Sequence, residues 1–561
     1  TRSDARDIPG TIRGDSTGGG EAMTRQAQLV RLALAAVGIT FAILMVNPST
    51  GPASQPAAQK KDPLIPGGPD DIVSDPSGCI VCHGHKNDEE AAKSRFGATF
   101  HSHEFVLLTE STTWETKDLH SRTFKVLKEP LAQRMSKGLK YDVTSSAKCL
   151  SCHGIDRYAG TPMPQGQIDV AARFEMGAKG QETPGITCNA CHGLRPKWQF
   201  DHTTPKGGKM TWRTLKPEQK AEAGMRDLRD PVVKAALCVT CHVGNAAEGK
   251  VVTHEMYAAG HPPLPPFELA SYMEGEPKHW GYPTDPKLKF FADLPEKDRW
   301  PLYHFHTAKE ESYLARHYAA GSIATLRAEA ELLLADAEKA ATGDYLIDYA
   351  RFDCYACHHD IPDVARQKRG YEGAPGRPPL RAAAAVPARL VAAHAEKIDT
   401  GGLAAKAMGF EERWVALRKA ATSRPFGDPA LVKDSAKSMI DWCNGFLRVQ
   451  CECASPIYTE TEAKRLRAMM AVAATGPAAA DPEVAFSLTW GYRALADDAG
   501  IKLTAEANKK LAEVVPLSVR MPPFSTGEQM KQPTPEDWYG RMKSLNSFDS
   551  GLFREAFGGL K

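Results

Sequence analysis

Ten of the 13 cysteines of this 561-residue chain fall in one repeated pattern. Cys79-Ile-Val-Cys82-His83, Cys149-Leu-Ser-Cys152-His153, Cys188-Asn-Ala-Cys191-His192, Cys238-Val-Thr-Cys241-His242 and Cys354-Tyr-Ala-Cys357-His358 all read C-x-x-C-H. Two thiols three positions apart can each add across one vinyl group of the same haem. The histidine that follows then meets the iron as proximal ligand. Zinc knuckles also use C-x-x-C, but zinc does not require a histidine directly after the second cysteine in every copy. A thioredoxin-like redox pair would occur once, on a βαβ unit. The pattern therefore predicts five covalently bound haem c groups and no use of these thiols in disulfides. The other three cysteines, Cys443, Cys451 and Cys453, lie outside any such motif. They read as one disulfide and one buried or free thiol.

Each iron has a second axial position, and 13 of the 18 histidines remain to fill it. A second histidine gives a six-coordinate iron suited to electron transfer; an open iron suits ligand binding and catalysis. Eleven of the remaining histidines lie between His83 and His317, among the haem motifs: His85, His101, His103, His120, His202, His254, His261, His279, His304, His306 and His317. Only His359 and His394 follow the last motif. A methionine is the other option, but Met163 sits only ten residues after His153, too close for a distal approach.

Here the chain resembles a known family. Trp114 stands six residues before His120 in Trp-Glu-Thr-Lys-Asp-Leu-His, just ahead of the second motif. Gly185-Ile-Thr-Cys-Asn-Ala-Cys-His-Gly193 is followed by His202, and Cys238-Val-Thr-Cys-His-Val-Gly244 by Thr253-His-Glu and Gly260-His-Pro. From Cys79 to His261 this is similar to the cytochrome c554 family, relatives of the hydroxylamine oxidoreductase haem core. The resemblance implies that His120, His202 and His254 are distal ligands, with His261 and then His279 next in order. The fifth motif, 112 residues after the fourth, departs from a tetrahaem pattern. No C-x-x-C-K variant, which would resemble the active haem of a nitrite reductase, occurs.

The elements around these residues follow from composition and periodicity. The expected fold is mainly α, with little regular structure between the first four motifs, because haem groups supply the core there. Ile323, Leu326, Ala330, Leu333 and Ala337 recur at helical spacing, with Glu310, Glu311, Glu329, Glu331 and Lys339 on other faces. They predict one or two long amphipathic helices leading into Cys354, with His304, His306 or His317 near the fifth haem or a neighbouring one. Asp428-Pro-Ala, the capping box Thr459-Glu-Thr-Glu462 and Asp481-Pro-Glu each open a helix. They predict a haem-free antiparallel bundle of four or five members, with Trp414, Trp442 and Trp490 in its core, and a short helix near Asp537 in the tail.

The organisation expected is a Gly-rich start plus leader over 1–47, a Pro/Gly-rich tether over 48–78, a tetrahaem domain over 79–300, a helical segment with the fifth haem over 301–364, a linker over 365–388 and a helical domain over 389–561. The apolar run from Leu32 to Val46 follows Arg25 and Arg31. It is shorter than the ~20 residues of a membrane span and suits an export signal, with an uncleaved N-terminal anchor as the alternative. Both place the chain in the periplasm or another exported compartment. Seventy Lys+Arg against 68 Asp+Glu leave a net charge of +2, which gives no support for nucleic-acid binding. With about two propionate charges per haem, the loaded protein is acidic.

The function expected is single-electron transfer between a donor and an acceptor redox protein, other cytochromes or a membrane respiratory complex. No catalytic residue is apparent. The alternative is an oxidoreductase acting on a small nitrogen or sulfur compound at one open haem.

Overall fold

The computed structural model describes residues 77–93, 107–157, 162–164, 168–174, 185–193, 198, 201–203, 212, 215, 217–279, 311–343, 345–358, 376–398, 402–452, 457–514 and 548–560. Among them about 65% are helical and no strand forms, as the mainly-α expectation requires. His101, His103, His304, His306, His359, Cys453, the 1–47 leader and the predicted tail helix lie outside the described residues. Among the described residues no helix is long and apolar enough to cross a membrane.

The haem-motif region uses short helices. The principal ones are α1 (Ser77–His83), α2 (Glu110–Lys117), α3 (Pro130–Leu139), α4 (Ala147–His153), α5 (Cys188–His192), α6 (Pro231–His242), α7 (His254–Ala258) and α8 (Leu269–Gly275). Four of them end on a motif histidine, so the two thiols and the imidazole are presented from one helical turn. The apolar core here is small, built from Phe124, Leu127, Met135, Leu150, Phe174 and a few neighbours.

A second, larger core begins at Val232 on α6 and runs to Phe557. Its axis is α9 (Tyr313–Ala340), 28 residues long. Around it lie α10 (Ala385–Ala395), α11 (Phe410–Thr422), α12 (Pro429–Glu452), α13 (Glu460–Ala474), α14 (Pro482–Asp498), α15 (Ala505–Val514) and α16 (Ser550–Gly558). The stripe predicted from Ile323 to Ala337 is buried. So is most of the rest of α9, including Arg316, His317, Thr325 and Arg327, so the helix is enclosed and not amphipathic. Glu311, expected on a face away from the apolar stripe, is buried and pairs with Arg316 at 2.6 Å; Arg316 also donates to the Gln450 carbonyl at 2.7 Å. A buried ion pair of this kind needs such extra hydrogen bonds to offset desolvation.

Close approach at two glycines sets the packing of α9. A Cβ on Gly321 would stand 2.5 Å from the Leu269 Cβ on α8. A Cβ on Gly491 of α14 would stand 2.5 Å from the Tyr318 ring. Only a hydrogen side chain leaves room there.

The predicted caps divide. Asp428 accepts from the Ala430 and Leu431 amides, and Asp481 from those of Glu483 and Val484. The Thr459 box does not close: Thr459 makes no side-chain cap bond, and Glu462 instead reaches His394 at 2.6 Å and Arg465 at 2.6 Å. Trp414 and Trp442 are buried as expected; Trp490 is partly buried against Phe486 and Tyr272. Cys443 is buried with no disulfide, and the Cys451 thiol lies 3.2 Å from the Asp230 carboxylate at the start of α6.

Candidate haem centres

The five motif histidines each stand opposite one other histidine. Ring centroids are 6.5 Å apart for His83 and His202, 6.0 Å for His242 and His120, and 6.4 Å for His153 and His261. They are 6.3 Å apart for His192 and His279 and 6.1 Å for His358 and His254. Two imidazoles bound to one metal from opposite sides through ~2 Å bonds have centroids roughly 6 Å apart. The chain thus brings His120, His202, His254, His261 and His279 each to a different motif, and these are the five distal candidates drawn from the resemblance.

The second nitrogen of most of these rings is engaged. Nδ1 of His153 donates to the Thr123 carbonyl at 2.8 Å, that of His261 to the Pro262 carbonyl at 2.7 Å, and those of His202 and His279 to the Trp198 and Pro277 carbonyls at 3.2 Å. A carbonyl only accepts, so each of these nitrogens carries the proton and the Nε2 lone pair is left for a metal. Carboxylates do the same for His83, through Glu110 at 2.9 Å, and for His120, through Asp118 at 2.9 Å. Burial works against a charged His120, but the Asp118 hydrogen bond wins and raises it to about 9. A more basic ring is a stronger ligand. Burial holds His153 below its ordinary value, and with a neighbouring imidazole it pulls His242 to about 3 and His261 to about 4. These rings stay neutral, as ligation requires.

Aromatic rings frame several of the imidazoles. Phe267 stacks on His242 at 5.2 Å and Tyr272 meets its edge at 5.0 Å. Trp198 lies 4.9 Å from His202, and Tyr349 lies 5.5 Å from His254. Gly185 fits against the His120 carbonyl, where a Cβ would stand 2.2 Å away, and the Ile186 amide donates to that carbonyl at 2.8 Å. The extended lead into the third motif is thereby fastened to the histidine that faces the fourth.

The motifs also touch one another. Cys188 lies close enough to Cys79, Cys152 to Cys241 and Cys191 to Cys238 for each to perturb the other's thiol. His254 and His261, seven residues apart around α7, face the fifth and the second motif.

One expectation is corrected. Helix α9 ends at Ala340 and does not carry the fifth motif, which sits on a single 3-10 turn, Cys354–Ala356, capped by Asp353. His317 is buried on α9, its Nδ1 donating to the Tyr313 carbonyl at 2.7 Å and its Nε2 3.2 Å from Lys234 Nζ on the helix of the fourth motif. His394, paired with Glu462, packs on Tyr458. Sequence reading passed over Glu110 and Asp118; the signal for Asp118 is its place two residues before His120, where one carboxylate reaches both the backbone amide and the ring.

Residues 187–260 match the family model for cytochrome c554 and c-prime. That segment holds the third and fourth motifs together with His202 and His254. No curated protein and no solved structure matches the chain. Over this segment the chain is similar to the cytochrome c554-like multihaem cytochromes, and that similarity supports a c-type cytochrome in electron transfer with covalently bound haem c.

Proposed function

We propose that the chain is a pentahaem c-type cytochrome of the periplasm that passes single electrons between two redox partners. The observation that carries this reading is the pairing of every motif histidine with a second histidine 6.0–6.5 Å away. When bound, each haem accepts and releases one electron at its iron. The protein contributes ten thiols for attachment, five proximal imidazoles, and His120, His202, His254, His261 and His279 as distal ligands. Its carbonyls and carboxylates keep those ligands oriented, which limits rearrangement on a change of charge. With both axial positions filled, nothing favours chemistry on a small nitrogen or sulfur substrate.

The neighbouring cysteines support a spatial order of first, third, fourth and second motif, and His254 and His261 on either side of α7 support the fifth next to the second. Exposure supports the same ends. Ile80 and Val81 inside the first motif are 45% and 64% exposed, and Cys354, Cys357 and His358 of the fifth are exposed. By contrast Leu150, Asn189 and Val239, inside the second, third and fourth motifs, are at most 1% exposed. Donor and acceptor, whether soluble cytochromes or a membrane respiratory complex, then meet the first and fifth motifs. Residues 1–47 serve as leader or anchor and 48–78 as tether.

Electron paramagnetic resonance of the oxidised protein tests the reading, together with an intact mass for the haem count. Five covalent haems and only low-spin signals are expected. A high-spin signal of one spin per molecule would overturn it in favour of an open, reactive iron. His202→Ala should create such a signal at the first haem alone.

A further inference from the structure

A cavity lies between α9, α11 and the segment 264–267, with His242 at one edge. Its walls are mostly apolar, including Leu326, Leu333, Phe267, Trp414 and Leu417. Three charged side chains break that lining: Glu329, Arg351 and Arg381. Both arginines are already committed. Arg381 makes two bonds to the Glu483 carboxylate, at 2.9 and 2.8 Å. Arg351 binds Asp336 at 3.0 Å and the Val252 carbonyl at 3.1 Å. Glu329 makes no hydrogen bond or ion pair with the described residues, and its half-buried surface is surface of the cavity.

The other titratable and charged groups facing this site are Tyr257, His242, Glu483 and Asp336. Three carboxylates thus stand against two guanidinium groups. Burial lifts the Glu329 pKa to about 7; Glu483 adds to the rise, while Arg381 and Arg351 oppose it. A carboxyl without a fixed partner, in an apolar wall and next to a redox centre, responds to a change of charge there. It stands on α9 four residues from Leu333 and three from Leu326, both of which line the same cavity.

We propose that Glu329 is a proton acceptor linked to the haem on His242, taking up one proton when that iron gains one electron and releasing it on oxidation. The inference rests on the haem assignment of His242 above. The balance is simple: the redox donor supplies the electron, ferric iron becomes ferrous, water supplies the proton, and the carboxylate becomes a carboxylic acid. The net charge of the site is unchanged, so an electron can be stored in a poorly solvated interior. Arg351 and Arg381, held by their own carboxylates, keep the remaining charge in place.

Optical redox titration of the haem-loaded protein at pH 6, 7 and 8 tests this. One haem potential should fall as pH rises, by up to about 59 mV for each tenfold drop in proton concentration. E329Q should flatten that slope and leave the others. Infrared difference spectra between reduced and oxidised wild type should show a carboxylic C=O band that appears on reduction, shifts in D2O and is missing in E329Q. A pH-independent set of potentials overturns the proposal, and so does a slope or a band that persists in E329Q. If E329Q does not accumulate, absence of any such band in wild type overturns it alone. Haem count and spin state from the same samples report separately on the haem assignment: a missing or high-spin haem at His242 would fail that assignment, whatever the slope.

Discussion

The region from Ser77 to His279 and the region from Glu311 to Leu560 stabilise themselves by different means. In the first, helices of four to 12 residues are joined by irregular chain, and the buried apolar set is small. Paired imidazoles stand about 6 Å apart where other proteins place packed side chains. In the second, helices of up to 28 residues bury Tyr318, Phe446, Tyr458, Phe553 and Phe557 completely. Four haem motifs stand within the first region, whereas the second carries one, on a single 3-10 turn outside its long helices. Ligand binding adds to stability only where the native state holds the ligand, so the two regions should respond oppositely to haem and to core mutation.

Preventing haem attachment should have the largest effect. Protein made without covalent haem should lose the structure from α1 to α5, while α6 and α8, which share the larger core, and α9 to α14 remain helical. Limited proteolysis followed by mass spectrometry should cut from α1 to α5 and spare the second region. Equal protection of both would break the comparison. Replacing Cys149 and Cys152 with serine is the local version, giving one haem fewer by mass and new cleavage around α4.

Core truncation should do the reverse. Phe446→Ala removes a fully buried ring from the α9–α12 contact, which costs about 3–5 kcal/mol. Denaturant unfolding followed by far-ultraviolet circular dichroism should show that loss, with the haem spectrum unchanged before unfolding begins.

A smaller effect should come from pH. Asp481 is raised to about 8, chiefly by burial and then by Asp353 and Glu483. A carboxyl raised above its ordinary 3.8 on folding holds its proton more tightly when native. Its contribution is complete below that value and is lost as pH rises through about 8. Stability of the second region should therefore decline from pH 5 to 8.5. Asp481→Asn keeps an N-cap acceptor for Glu483 and Val484, so it should flatten the decline and add on the order of 1 kcal/mol at the upper end. An unchanged profile would assign the pH response elsewhere.

The border between the regions does not coincide with the compositional one. Residues 365–388 read as a linker because of Gly373-Ala-Pro-Gly-Arg-Pro-Pro379. Yet Ala383 to Val386 are buried, and the core that includes them reaches back to Val232 on the helix of the fourth motif. The motif helix α6 is built into the haem-free helices, through Val232, Ala235 and Val239 on its apolar face and the Cys451–Asp230 contact at its start. Proline and glycine report a break in local regularity and say nothing of what the break packs against.

Much of the haem chemistry was legible without a structure. C-x-x-C-H is a covalent requirement satisfied within five consecutive residues, so spacing alone names the thiols and the proximal imidazole. The same locality made Asp428 and Asp481 readable as caps. Which histidine faces which motif was not legible. His279 stands opposite His192, 87 positions away, and His254 and His261 part to different motifs although only seven residues separate them. His317 looked equivalent to these by type and neighbourhood, but burial on α9 gave its nitrogens to Tyr313 and Lys234. The Thr459 box failed for a like reason, since His394 lies 68 residues from the Glu462 it draws away. Local covalent and capping chemistry is written in short spacing. Axial pairing, the partner of each ring nitrogen and the lone carboxyl of Glu329 depend on chain segments meeting in space, and only the packed tertiary structure decides which segments meet.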